Sequence, residues 1–103
     1  MIEFTILIPT TRNGDRTPHA NLLWDAWHSR LLEFGGFTLH GEVTGQWLDY
    51  TGTIITDRSQ KYTLAVSSDR ERDVYNLIRE YRSKFDQECI YVAVTSDDAT
   101  LLV

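Results

Sequence analysis

The residues able to do chemistry in this chain are few and scattered. His40 and Glu42 stand two apart in an alternating stretch, so a regular strand would place both on one face. An imidazole and a carboxylate held that way form an acid/base pair or part of a metal site. A solvated or interface pair is the simpler reading of the same spacing. Trp47 lies in Gly45-Gln46-Trp47-Leu48-Asp49-Tyr50, outside any long apolar run and between Gly45 and Gly52. Such a tryptophan either pins a glycine-bounded excursion to the sheet, with its ring buried, or lines a pocket. Pinning is preferred, because glycines on both sides fit a sharp return of the chain. A pocket there would be built from His40, Trp47, Tyr50 and Asp57. The segment Arg12-Asn13-Gly14-Asp15-Arg16 is a second candidate surface. Its two arginines, Arg12 and Arg16, could hold an anionic group, although a merely solvated loop has the same composition.

The remaining reactive types have no partners at useful spacing. His19 and His28 belong to no metal-ligand pattern, and no metal site is expected. The single Cys89 follows Asp86-Gln87-Glu88, whose negative charge disfavours a thiolate, so it reads as a buried structural cysteine and not as a nucleophile. It also excludes an internal disulfide framework. The chain has no G-x-S-x-G, no P-loop and no G-x-G-x-x-G. No catalytic residue is assigned, and no cofactor is expected.

The elements that must position these side chains are legible from periodicity. Ile2, Phe4, Ile6 and Ile8 alternate with Glu3, Thr5 and Leu7, which predicts a strand. After the polar loop Thr10–Arg16, Thr17-Pro18 reads as the opening of a helix. Ala20, Trp24, Trp27, Leu31 and Phe34 form its apolar stripe, and Gly35-Gly36 ends it. Phe37–Val43 reads as a strand and Thr44-Gly45 as a bend. Gln46–Tyr50 and Thr53–Thr56 read as a short extra hairpin, Asp57–Gln60 as a turn, and Lys61–Ser67 as the next strand. Ser68 and Glu71 suit a capping box for a helix whose stripe is Val74, Leu77, Ile78, Tyr81 and Phe85. Cys89–Thr95 is the last clear strand, and Ala99–Val103 a possible C-terminal one. The order β-α-β-β-α-β predicts an α+β fold: a ferredoxin-like antiparallel sheet with both helices on one face.

The chain of 103 residues makes a single domain. Lys plus Arg is 10 against 15 for Asp plus Glu, giving a net charge of −5, which argues against a nucleic-acid partner. No apolar run is long enough to span a bilayer, and no basic region precedes the first apolar stretch, so no membrane association and a cytoplasmic location are expected. The sheet face away from the helices would carry Thr5, Leu7, Thr38, His40, Thr63, Ala65, Tyr91 and Ala93. This surface is short of Lys and Glu and semi-apolar, and the commonest cover for such a face is a second copy, a homodimer.

Phe34-Gly35-Gly36-Phe37-Thr38, Gly45-Gln46-Trp47, Gly52 and Asp57-Arg58-Ser59 together resemble a pattern in small bacterial proteins of unknown function. The resemblance spans roughly residues 31 to 66 and implies a ferredoxin-like fold, with no activity and no catalytic residue to carry over. The leading functional reading is a self-associating binding domain for a protein partner or a small ligand. An alternative is a small enzyme of the dimeric α+β-barrel type, with its pocket near Trp47, His40 and Asp57. A third is a phage or mobile-element inhibitor of a host factor, which size and acidity suit. The lack of an arranged nucleophile, base or metal set favours binding over catalysis.

Overall fold

Ile2, Phe4, Ile6 and Ile8 are all buried, and the residues between them are exposed or half-buried, so the first strand is amphipathic as its alternation requires. The computed structural model describes residues 1–96; the possible strand Ala99–Val103 lies outside them. Strand β1 (Ile2–Pro9) is followed by helix α1 (Asn21–Leu32) and strands β2 (Thr38–Leu48) and β3 (Ile54–Val66). Helix α2 (Glu71–Lys84) and strand β4 (Tyr91–Ser96) complete the described chain. The strands form one sheet in the order β2-β3-β1-β4, antiparallel throughout. This is the expected ferredoxin-like α+β plan.

The core lies between one sheet face and both helices. Phe4, Ile6, Ile8, Tyr62, Leu64 and Val66 meet Trp27 and Leu31 of α1, with Val74, Leu77, Ile78 and Tyr81 of α2 and Phe85 just beyond it. Aromatic rings dominate it: Trp27 packs edge-on against Tyr62 at 5.9 Å and Phe85 at 6.1 Å between ring centroids. The other sheet face is set by register. Thr5 opposes both Thr63 and Ala93, and Leu7 opposes Lys61 and Tyr91. The predicted open face is therefore real and has no cover within the described residues. It also carries Glu3 and Lys61, in addition to the residues expected there.

The structure departs from four local expectations. There is no bend at Thr44-Gly45 and no turn at Asp57–Gln60. Gly45 pairs with Asp57, and β2 and β3 run on as one long two-stranded arm. The extra hairpin is the outer half of that arm, because ladder pairing overrides the turn preference of its isolated Gly and Asp residues. Its tip is closed at Asp49, whose carboxylate accepts from the backbone N–H of Thr51 at 2.8 Å and of Thr53 at 2.9 Å. Helix α1 starts at Asn21, not at Thr17-Pro18. Thr17 is tied into the preceding loop by an N–H bond to Asp15 and by its carbonyl, which accepts from Arg12 N–H at 2.8 Å. Ser68 does not cap α2 with its side chain; it opens a short 3₁₀ turn leading into Glu71.

Two histidines serve the fold. His19 donates from Nε2 to the Pro9 carbonyl at 2.9 Å and packs edge-on against Phe85. His28 Nε2 lies 2.6 Å from the Tyr62 hydroxyl, whose pKa burial pushes well above the ordinary phenol range. Burial also lowers the pKa of both imidazoles. The unfolded chain then takes up protons first as pH falls below about 6.5, so stability is full above that pH and declines as pH drops toward the folded-state values. Urea unfolding should show a lower midpoint at pH 5.5 than at pH 7.5, and His28→Gln should shrink the difference.

Candidate functional site

The arm outruns its neighbour. Strand β1 ends at Pro9, opposite Ser59, so the outer edge of β3 from Ile54 to Arg58 is left beside a gap. The loop after β1 turns along that gap. Thr10 donates through its N–H to the Arg58 carbonyl at 2.9 Å, the last backbone tie between the loop and the arm. The segment after α2 closes the third side, with the Gln87 side-chain amide donating to the Thr11 carbonyl at 2.8 Å and Asn13 N–H donating to the Asp86 carbonyl at 3.0 Å. The result is an open cleft of about 650 Å³. Its walls come from Pro9–Gly14 with Arg16, from Ile55–Arg58, and from Gln87–Cys89.

The cleft joins two surfaces that the sequence presented separately. Arg12 and Arg16 come from the loop and Asp57 from the arm. Arg58 joins them, a residue the sequence reading assigned to a polar turn; its place on β3 follows from the strand's unforeseen length. Three of the chain's 10 basic residues meet here, against Asp57 and Glu88. None of the three is tightly neutralised. Arg12 Nε stands 3.6 Å from Asp86 and 3.9 Å from Asp15, and Arg58 Nε stands 3.7 Å from Glu42. Arg16 has no ion pair among the described residues and holds a positive φ of 58°, a backbone conformation costly for a side chain of its size. Planar guanidinium groups at a polar, hydroxyl-bearing cleft are suited to a carboxylate or phosphate.

The other predicted site residues disperse. His40 and Glu42 do not share a face. A β-bulge between Leu39 and Gly41 inserts one residue into β2, and Gly41 takes φ 95° to allow it. His40 stays on the open face, 2.9 Å from Thr63 Oγ1, whereas Glu42 turns to the helix side and reaches Arg58. The proposed acid/base pair therefore does not exist. Tyr50 is fully exposed at the arm tip. Trp47 is not buried, contrary to the pinning preference: 48% of its surface is open, and its indole N–H donates to Asp57 Oδ2 at 2.8 Å. Gly45 is no bend but the seat of that ring, which lies 3.0 Å from where a Cβ would stand. Cys89 is exposed in the cleft wall, not buried, because β4 begins only at Tyr91 and leaves it on the connecting segment.

No group of three or more His, Cys, Asp or Glu side chains among the described residues is arranged to hold a metal ion. No helix there is long and apolar enough to cross a membrane.

No family model matches the chain, and no curated protein matches its sequence. Solved structures do match its fold. A phage SAM lyase in complex with S-methyl-5′-thioadenosine superposes with a TM-score of 0.65 at 18% identity, over 91% of this chain and 79% of the lyase. A phage SAM lyase in the apo state gives 0.65 at 20% identity, covering 91% and 78%. The divalent cation tolerance protein CutA1 from Thermus thermophilus gives 0.65 at 10% identity, covering 98% and 88%. At such identities the likeness establishes the fold.

Proposed function

We propose that this chain is a self-associating cytoplasmic domain that binds a small anionic ligand in the cleft between the loop after β1 and the β2–β3 arm. One observation carries the reading: a chain of net charge −5 places Arg12, Arg16 and Arg58 in the walls of one cleft, Arg12 and Arg58 in loose ion pairs and Arg16 in none among the described residues. Three like charges in the walls of one cleft repel one another, and an anion bound between them relieves that repulsion. A small ligand is favoured over a protein partner at this spot because the cleft is concave and walled on three sides. Self-association rests on the separate open face around Thr63 and Ala65.

Inorganic phosphate is a sufficient probe. Titrating it while following backbone amide resonances should shift those of Thr10–Arg16 and Ile55–Arg58 together. The double variant Arg16→Ala, Arg58→Ala should weaken binding about tenfold or more, since each charge-assisted hydrogen bond contributes about 1.5–3 kcal/mol. Shifts scattered over the surface, or unchanged affinity in the variant, would refute the reading.

An enzymatic reading is favoured by one finding, the fold shared with a phage SAM lyase that binds a thionucleoside. In that reading the same cleft takes the substrate, and Glu88 and Asp57 are the carboxylates that its described wall offers as acid or base. Turnover of S-adenosylmethionine by the purified protein, monitored by release of S-methyl-5′-thioadenosine, separates the two readings.

A further inference from the structure

We propose that Trp47 is a stacking platform for a planar base, and that the ligand of the arginine cleft is consequently a free nucleotide. The proposal rests on the anionic-ligand reading above and specifies its ligand class. Trp47 belongs to no core cluster, yet it is held firmly. Its indole N–H is bonded to Asp57, and one side of its ring rests on the bare backbone of Gly45. The ring is thus fixed in orientation with nearly half its surface open, which is what a stacking surface requires.

Its position fits the cleft. Ile55, the cross-strand partner of Trp47, and Asp57, its hydrogen-bond partner, both line the cavity. One strand spacing, about 4.8 Å, separates the strand that bears the ring from the strand that forms the wall. Trp47 and Asp57 share the open face of the sheet, so a base on the indole sets its sugar over Asp57 and its phosphate past the outer edge of β3 toward Arg12 and Arg16 of the loop. The Asp57 carboxylate uses Oδ2 for the indole, and its second oxygen can accept from a sugar hydroxyl. The net charge of −5 selects against a polyanion and for a free nucleotide.

The test compares three probes by calorimetry: inorganic phosphate, ribose 5-phosphate and adenosine 5′-monophosphate. The wild type should bind the nucleotide about tenfold more tightly than ribose 5-phosphate, a gap within the range that stacking supplies. Trp47→Leu should erase that gap while keeping phosphate affinity, with an unchanged circular dichroism spectrum as proof of folding. Equal affinity for the two sugar phosphates in the wild type, or a gap that survives Trp47→Leu, overturns the platform and leaves the anion cleft standing. Failure of all three probes overturns both. Tighter binding of single-stranded oligonucleotide than of mononucleotide overturns the assignment to a free nucleotide.

Discussion

Trp27→Ala should lower the unfolding free energy by about 3–5 kcal/mol, the usual cost of removing a large aromatic from a core. A domain of this size has only about 5–15 kcal/mol of stability to lose, so the variant should be marginally folded at 25 °C. The expectation follows from position: Trp27 is fully buried where α1 meets the sheet and α2, in contact with Tyr62, Tyr81 and Phe85. Trp27→Phe provides the contrast. The indole Nε1 is buried beside Tyr62 without a well-formed hydrogen bond among the described residues, so phenylalanine removes a poorly satisfied donor while keeping most of the volume. Its cost should be well under half that of alanine. Chemical denaturation followed by circular dichroism measures both, and an alanine variant within about 1 kcal/mol of wild type would disprove the packing described.

Ala65→Glu should convert an oligomer into a monomer. Ala65 is exposed on the open face, directly across from Glu3 and beside the row formed by Thr5 and Thr63. If a second copy covers this face, a carboxylate there is buried without a partner and set against a like charge. Size exclusion with light scattering should give a multiple of 11.9 kDa for the wild type and 11.9 kDa for the variant. The same substitution should leave the far-ultraviolet spectrum intact, because its side chain points away from the core. A wild-type mass of 11.9 kDa at micromolar concentration would end the self-association reading. Neither substitution touches the cleft, so phosphate binding by the Ala65→Glu monomer would also show that the ligand site is complete within one chain.

Periodicity is enough to identify the elements whose apolar residues repeat over many positions. Ile2 to Ile8 and Val74 to Phe85 each commit a whole face to the core, so period alone identifies strand and helix. The order of those elements, and the need to cover one sheet face with two helices, then leaves the ferredoxin-like plan as the simplest solution. The sequence also marked Arg12, Arg16, Trp47 and Asp57 as side chains that could act. Their grouping depends on pairing between segments far apart in the chain. Residues 43–60 carry a weak period, and pairing between β2 and β3 straightened what local composition had broken into a bend and a turn. That pairing carried Asp57 and Arg58 to the loop after β1, more than 40 residues away in sequence. A single inserted residue at His40 reversed the alternation of β2 and parted His40 from Glu42. Contacts of this kind are set by register between distant segments, and register is a property of the pair of strands, not of either sequence alone.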